Sequence, residues 1–359
     1  MNTSPSLALI GLGAVVRNIH RPAFESLGDK VRMVAGCDPD ASARDYAKSK
    51  WGIEVFDDPR RMLEATKPDI VDICTPPWLH REQVLLALEY GCHVFCEKPL
   101  AESLDDADIM IAASRKVGRV VVVNSQFPCM KIHQAAKKAI GSSGFGKLLY
   151  LSVWHTMRTD AHTEAGWRGE LPRRLCFEFG IHVFELVRFL FEDEPVRLMA
   201  HMPNPGGRAK SDPINVITLE FADGRAASIV MDRLSMGPER YLDMRLDGEH
   251  AAVHTSIGGK VRFEAGLHTR EKKPFLNFRF VKGGQAVLQD RNCETVLATD
   301  GINPFASATA THFAGFLDAL RTGAEPRASI ADNRKSLALV MAAYDSAGAG
   351  QWVRMSDYA

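Results

Sequence analysis

His93-Val94-Phe95-Cys96-Glu97-Lys98-Pro99 is a short apolar run that stops on a charged pair and a proline. Preceded by Gly91, residues 93–96 read as a buried strand. Pro99 fixes its own φ, lacks an N–H and ends the ladder, and it biases Lys98 away from helix. A lysine at the carboxyl end of a strand in an open parallel sheet stands where such folds place ligands. Taken alone, the triplet favours the plainer reading, a surface lysine after an edge strand. The chain on either side reverses that preference.

Outward from this stretch, short apolar runs alternate with helical patterns. Strands are expected over residues 7–10, 31–37, 53–55, 70–74, 93–96 and 120–124. Helices are expected over 14–27, 41–50, 59–66 and 79–90, and from a Ser103/Asp106 capping pair to about residue 116. Strand–helix alternation at this spacing implies right-handed crossovers and a doubly wound parallel sheet of the α/β class. The first strand runs into Gly11-Leu12-Gly13. Gly11 permits the tight turn, and Gly13 lets backbone approach a pyrophosphate at a helix N-terminus, where free N–H groups favour anions. Asp38 ends the second strand, where an acid accepts hydrogen bonds from an adenosine ribose diol. It repels a 2′-phosphate, so NAD is expected rather than NADP, with Arg44 too far along the next helix to reverse this. Val16 holds the third position of the glycine pattern, where Gly or Ala is usual.

The 359 residues suffice for two domains, set at 1–125 and 126–359. Lys plus Arg equals Asp plus Glu, 44 against 44, so no basic block argues for nucleic acid or an anionic membrane. No apolar run approaches the roughly 20 residues that span a bilayer. The N-terminal stretch carries no positive charge and does not resemble a signal peptide. Seven cysteines, mostly in apolar runs, read as reduced core residues of a cytoplasmic protein.

In the second half, residues 131–140 read as a helix and 148–156 as a long strand. Residues 158–173, with Arg158, His162, Trp167 and Arg168, form a candidate substrate loop, or else a plain surface connection with Trp167 tucked into the core. Residues 175–191 read as an apolar helix with Glu178, His182 and Glu185 on one face. Polar groups there need partners or a cavity. They could be a core histidine held by Glu178, or, lacking a further ligand at clear spacing, a poor metal site. No metal is expected. Alternating strands follow, residues 267–300 read as an irregular charged insertion, and helices over 304–320 and 331–346 close the chain.

Together these pieces resemble the glucose–fructose oxidoreductase / inositol dehydrogenase / MocA family. The matching residues are Gly11-Leu12-Gly13, His20-Arg21-Pro22-Ala23, Cys37-Asp38, Thr75-Pro76-Pro77-Trp78-Leu79-His80, Glu97-Lys98-Pro99, Asn124, Gly166-Trp167-Arg168 and Gly180-Ile181-His182. The resemblance implies an N-terminal Rossmann domain and a C-terminal α/β domain on a large, mostly antiparallel sheet. It implies NAD(P)-dependent hydride transfer on a sugar, polyol or sugar derivative. Cofactor contacts would come from Gly11, Gly13, Ala14, Val15, Asp38, Thr75, Pro76, His80, Glu97, Lys98 and Asn124. Substrate contacts would come from Arg158, Trp167 and Arg168. The family's aspartate-x3-histidine pair maps onto Glu178 and His182, with an acid one methylene longer. The glycine-rich run before it is replaced by Arg173-Arg174-Leu175-Cys176-Phe177. In this reading His182 is the general base, Lys98 stabilises the developing alkoxide, and Glu178 holds His182 or relays its proton. The sheet face implies a homodimer or homotetramer. Two other functions stay open: redox-assisted cleavage of a glycosidic bond, and a non-catalytic dinucleotide or sugar sensor.

Overall fold

The computed structural model describes residues 4–158, 166–207, 209–237, 239–258, 284–291 and 293–359, and the strands at 261–267 and 274–280. The first sheet holds β1 (Ser6–Ile10), β2 (Arg32–Cys37), β3 (Glu54–Phe56), β4 (Ile70–Ile73), β5 (His93–Cys96) and β6 (Val121–Val123), all parallel, in the order 3-2-1-4-5-6. They are joined by α1 (Arg21–Ser26), α2 (Ala41–Trp51), α3 (Pro59–Thr66), α4 (Pro77–Glu89) and α5 (Leu104–Val117). Asp40, Asp58 and Ser103 cap α2, α3 and α5 by accepting from main-chain N–H groups of the first turn.

Side chains alternate across this sheet. Leu7 and Leu9 join Ile70, Phe95 and Val122 on one face, while Ala8 and Ile10 join Val71, Ile73, Val94 and Cys96 on the other. Both faces are covered, as a parallel sheet requires. The strand order reverses between β1 and β4, so the ligand crevice lies at their carboxyl ends. The helix expected over 14–27 contains a π-helical turn, Val16–His20, before α1. That wider turn leaves His20 wholly buried.

The second half contributes α6 (Lys131–Ala139), β7 (Leu148–Thr156), α7 (Ile181–Phe191), β8 (Arg197–His201), β9 (Ile214–Glu220), β10 (Ala226–Asp232), β11 (Arg240–Gly248) and β12 (Ala252–Ile257). After these come β13 (Val261–Leu267), β14 (Pro274–Phe280), β15 (Gln285–Gln289), β16 (Glu294–Thr299), α8 (Pro304–Thr322), α9 (Ile330–Ala349) and β17 (Val353–Arg354). Nine strands form one sheet, ordered 16-15-12-11-7-10-9-8-17, antiparallel except for the β7–β10 pair. β13 and β14 form a separate hairpin. The irregular insertion expected at 267–300 is therefore corrected to strands. β16 is the edge strand and mostly exposed, and β15 beside it is mostly half-buried, so burial imposes no clear alternation on their sequence.

α7 and α9 pack on one face of the large sheet through Val183, Leu186, Leu190, Leu337 and Val340. On the opposite face Trp154, Val230 and Val216 stand in register across three strands, with Trp154 47% and Val216 42% exposed. α8 returns instead to the first sheet. Phe313 and Phe316 pack on Phe95, ring centroids 5.1 and 6.0 Å away, and Phe313 on Phe24 at 4.7 Å. Beyond α8, the Val123 N–H donates to the Ala328 carbonyl at 3.0 Å and Val122 bridges to Ser329, closing the outer edge of β6. No helix among the described residues is long and apolar enough to cross a membrane.

Candidate active site

At the end of β1, Gly11 has φ +90°, and a Cβ there would lie 2.9 Å from the Cys74 carbonyl oxygen, so only glycine fits. A Cβ on Gly13 would meet nothing within 4 Å. Gly13 and Ala14 are exposed and Val15 half-buried, and the first N–H groups of the helix have no intrahelical acceptor. This open cradle fits a dinucleotide pyrophosphate. Val16, at the third glycine position, is buried and begins the π-helical turn. The Asp38 carboxylate accepts from Leu12 N at 2.8 Å and from Asp40 N at 2.9 Å, which fixes it at the rim. Arg44 is nearer than its place in sequence suggests. Its Nη1 donates to the Asp38 and Pro39 carbonyls at 2.8 and 2.9 Å.

Thr75 and Pro76 follow β4 and are partly exposed at the same edge. His80 does not face the crevice. It is fully buried, with Nδ1 2.9 Å from the Pro99 carbonyl oxygen and Nε2 2.8 Å from that of Thr75. It ties the loop after β4 to the loop after β5, so its expected contact with the cofactor is corrected to a supporting role.

Glu97 and Asn124 are also engaged with protein partners. His20 stands between two acids, Nδ1 2.9 Å from Asp72 Oδ2 and Nε2 2.7 Å from Glu97 Oε1. Asn124 Nδ2 donates to Glu97 Oε1 at 2.7 Å, and the Lys98 N–H to Glu97 Oε2 at 3.2 Å. His20, Asp72 and Asn124 are wholly buried and Glu97 is 8% exposed, so these side chains are committed to one another beneath the crevice floor. Burial disfavours a charged imidazole, but the Asp72 carboxylate and its hydrogen bond prevail, and the pKa of His20 rises well above its ordinary value. Burial likewise pushes the Glu97 carboxyl up. The hydrogen bond and charge of His20, with Lys98 and Asn124, outweigh it and hold that pKa down to about 2.

Lys98 reaches from the end of β5 into the second half of the molecule, where its Nζ donates to the Glu178 main-chain carbonyl at 2.9 Å. Burial lowers the pKa of Lys98, and the nearby Glu97 and Glu178 charges offset part of that. Glu178 lies in a π-helical segment, Leu175–Gly180, that leads into α7. His182, on the first turn of α7, lies flat on Phe127, with centroids 4.0 Å apart and planes within 2°. Burial and the Lys98 charge push its pKa well below the ordinary histidine value. Phe179, Tyr241 and Phe305 complete an aromatic wall around these rings.

Glu178 does not hold His182, and that expectation is corrected. Its carboxylate receives Arg168 Nε at 2.8 Å and Arg174 Nε at 3.4 Å. The π-helical segment breaks the helical spacing that had placed the two side chains on one face. Glu185 also turns elsewhere, to Arg327 at 2.9 Å and Ser336 at 3.0 Å, so the three polar residues do not converge. Trp167 packs edge-on against Trp78 at 5.1 Å, joining the candidate substrate loop to the start of α4, and Arg168 lies 4.2 Å over the Trp167 ring. Arg158 bridges to Leu234 and lines a cavity of about 460 Å³ with Arg174 and Arg233. His162 lies outside the described residues. Sequence reasoning missed the His20–Asp72 pair and the aromatic wall. An acid in the middle of the apolar strand β4 was the signal for the first, since a buried carboxylate demands a partner.

Residues 6–125 match an oxidoreductase family described as having an NAD-binding Rossmann fold, and residues 133–254 match the GFO/IDH/MocA C-terminal domain. D-apiose dehydrogenase of Paraburkholderia graminis is 28% identical over 364 residues, covering 98% of this chain and 89% of that protein. D-glucoside 3-dehydrogenase of Escherichia coli is 42% identical over 219 residues, 59% of this chain and 61% of that protein. Among solved structures, an oxidoreductase from Agrobacterium radiobacter, crystallised with NAD+, L-tartaric acid and magnesium, has the same fold, with a TM-score of 0.85 at 23% identity over 99% of this chain and 100% of that one. The glycine cradle, the six-stranded order 3-2-1-4-5-6, the large second sheet and both sequence matches agree: the chain belongs to the GFO/IDH/MocA oxidoreductase family.

Proposed function

We propose that the chain transfers a hydride between NAD and a hydroxyl-bearing carbon of a sugar, polyol or sugar derivative. The nucleotide half is residues 1–125 and the substrate and assembly half 126–359. One observation carries the reading. Lys98 Nζ spans from the carboxyl edge of the parallel sheet to the Glu178 carbonyl, one turn before His182, and its charge acts on that imidazole, which supports reading the two as the pair facing the nicotinamide end of a dinucleotide. The sugar class follows from the kinship with the apiose and glucoside dehydrogenases.

When bound, NAD supplies the hydride acceptor. His182 takes the hydroxyl proton in the oxidation direction. Its depressed pKa keeps it in the accepting form at neutral pH but makes it a weak base. Lys98 compensates by stabilising the developing alkoxide, which lets the proton leave more readily. Trp167 and Arg168 close the substrate end, and Asp38 receives the ribose diol and selects NAD over NADP. A screen of sugars, polyols and sugar acids by NADH absorbance tests the reading. Turnover of at least one class with NAD is expected; tight NAD binding with no turnover across the panel would leave only a sensor.

The exposed Trp154–Val230–Val216 row is assigned to a homodimer or homotetramer interface. Sedimentation of a W154R/V216E variant should then give a monomer, and an unchanged mass would remove the assignment.

A further inference from the structure

The buried cluster behind Lys98 is larger than packing requires. A carboxylate is costly to bury without partners. Here two, Asp72 and Glu97, are buried side by side with one imidazole between them, at hydrogen-bond distances of 2.9 and 2.7 Å. Both ring nitrogens face carboxylate oxygens, so both must donate, and the ring that fits is the imidazolium. Glu97 in turn accepts the main-chain N–H of Lys98 at 3.2 Å. We propose that His20 is a positioning residue for Lys98: as the bridge between Asp72 and Glu97 it holds the Glu97 carboxylate, charged, against the backbone of the lysine that meets the substrate.

The charges balance in a way that supports this. His20 and Lys98 offset Asp72 and Glu97, and removing any member leaves an uncompensated charge in a low-dielectric setting. His20 is surrounded by Asp72, Cys74, Glu97 and Asn124, with Phe24 and Phe95 against the ring. Lys98 is faced by Glu97, Glu178, Arg168, Arg233 and His182. His312, across Phe95, also faces Glu97. Without the imidazolium, two buried acids are left with Asn124 as the chief donor to Glu97, and burial drives Glu97 toward its neutral form. Lys98 then loses the nearest negative charge favouring its protonated state, so its proton affinity falls.

The inference rests on Lys98 acting as proposed above, but its test reads Lys98 itself. Acetic anhydride modifies only the unprotonated amine, and peptide mass spectrometry reports the extent at Lys98 as a function of pH, with NAD+ present. In His20→Gln the half-labelling pH should fall by about one unit, a tenfold loss of proton affinity. Glu97→Gln should give a similar fall, and the double variant no more than either alone. Asp72→Asn, which releases the imidazole from one side, should shift Lys98 in the same direction by less, and serves if His20→Gln does not fold. A merely structural histidine would lower the melting temperature and leave the labelling curve in place. Curves that superimpose on the parent for every folded variant would overturn the inference. A shifted curve in a protein without turnover would uphold it while removing the proposed hydride transfer.

Discussion

Replacing Lys98 with Met keeps the length and apolar stem of the side chain and deletes its charge. In the structure Nζ already holds an oxygen, the Glu178 carbonyl, at 2.9 Å, so an alkoxide can be stabilised at similar range. Two unit charges at about 3 Å and an effective dielectric of about 20 interact by roughly 5.5 kcal/mol. A hydride-transfer transition state with about half a charge on oxygen would draw about half of this, roughly 2.8 kcal/mol, or about a hundredfold in rate. NAD contacts along the glycine cradle and Asp38 are untouched. The assay is kcat by NADH absorbance on the best substrate of the screen, beside NAD affinity by protein fluorescence quenching. The expected result is kcat down about a hundredfold with NAD affinity within about threefold of the parent. A variant within about fivefold of the parent kcat would refute the role given to Lys98.

Three further outcomes are expected. Because the His182 pKa is depressed, the form that accepts a proton persists as pH falls through 6.5, and oxidation is lost only below that point; His182→Ala should erase this acid limb in a kcat–pH profile and lower the plateau about a hundredfold. Asp38→Ala should raise the NADP to NAD ratio of kcat/KM, helped by Arg44 at the same rim, and an unchanged ratio would count against the ribose contact. Phe95→Ala, at the meeting of β5 with Phe313 and Phe316, should lower stability by about 3–5 kcal/mol in urea unfolding. A loss under about 1 kcal/mol would mean that this junction relaxes to fill the cavity.

The nucleotide half was legible because its signals are local. An apolar strand, two glycines and an acid at the end of the next strand lie within one supersecondary unit, and the structure brings Asp38 to the Leu12 N–H. Lys98 was legible for the same reason, as a residue at a strand end. The pairing of Glu178 was not. Helical spacing placed it beside His182, but the π-helical segment changes the register and two arginines compete for the carboxylate. His80 and Asn124 stand in motifs beside the crevice, yet their direction depends on partners far along the chain, such as the Pro99 carbonyl and Glu97. The contacts of His20 span 52 and 77 residues, a separation that no local pattern encodes. The outer strands β15 and β16, of which β16 is the edge, escaped notice because backbone pairing defines them more than burial does.

The return of α8 to the first sheet, and the closure of β6 by residues 328 and 329, bear on how the polypeptide matures. During synthesis the nucleotide half leaves the ribosome long before these segments exist. It then presents the bare ring of Phe95 and an open strand edge, the kind of surface that invites mispairing between nascent chains. A stretch translated roughly two hundred residues after β6 thus completes the first sheet to be made, so a nonsense codon ahead of it damages the opposite half of the protein.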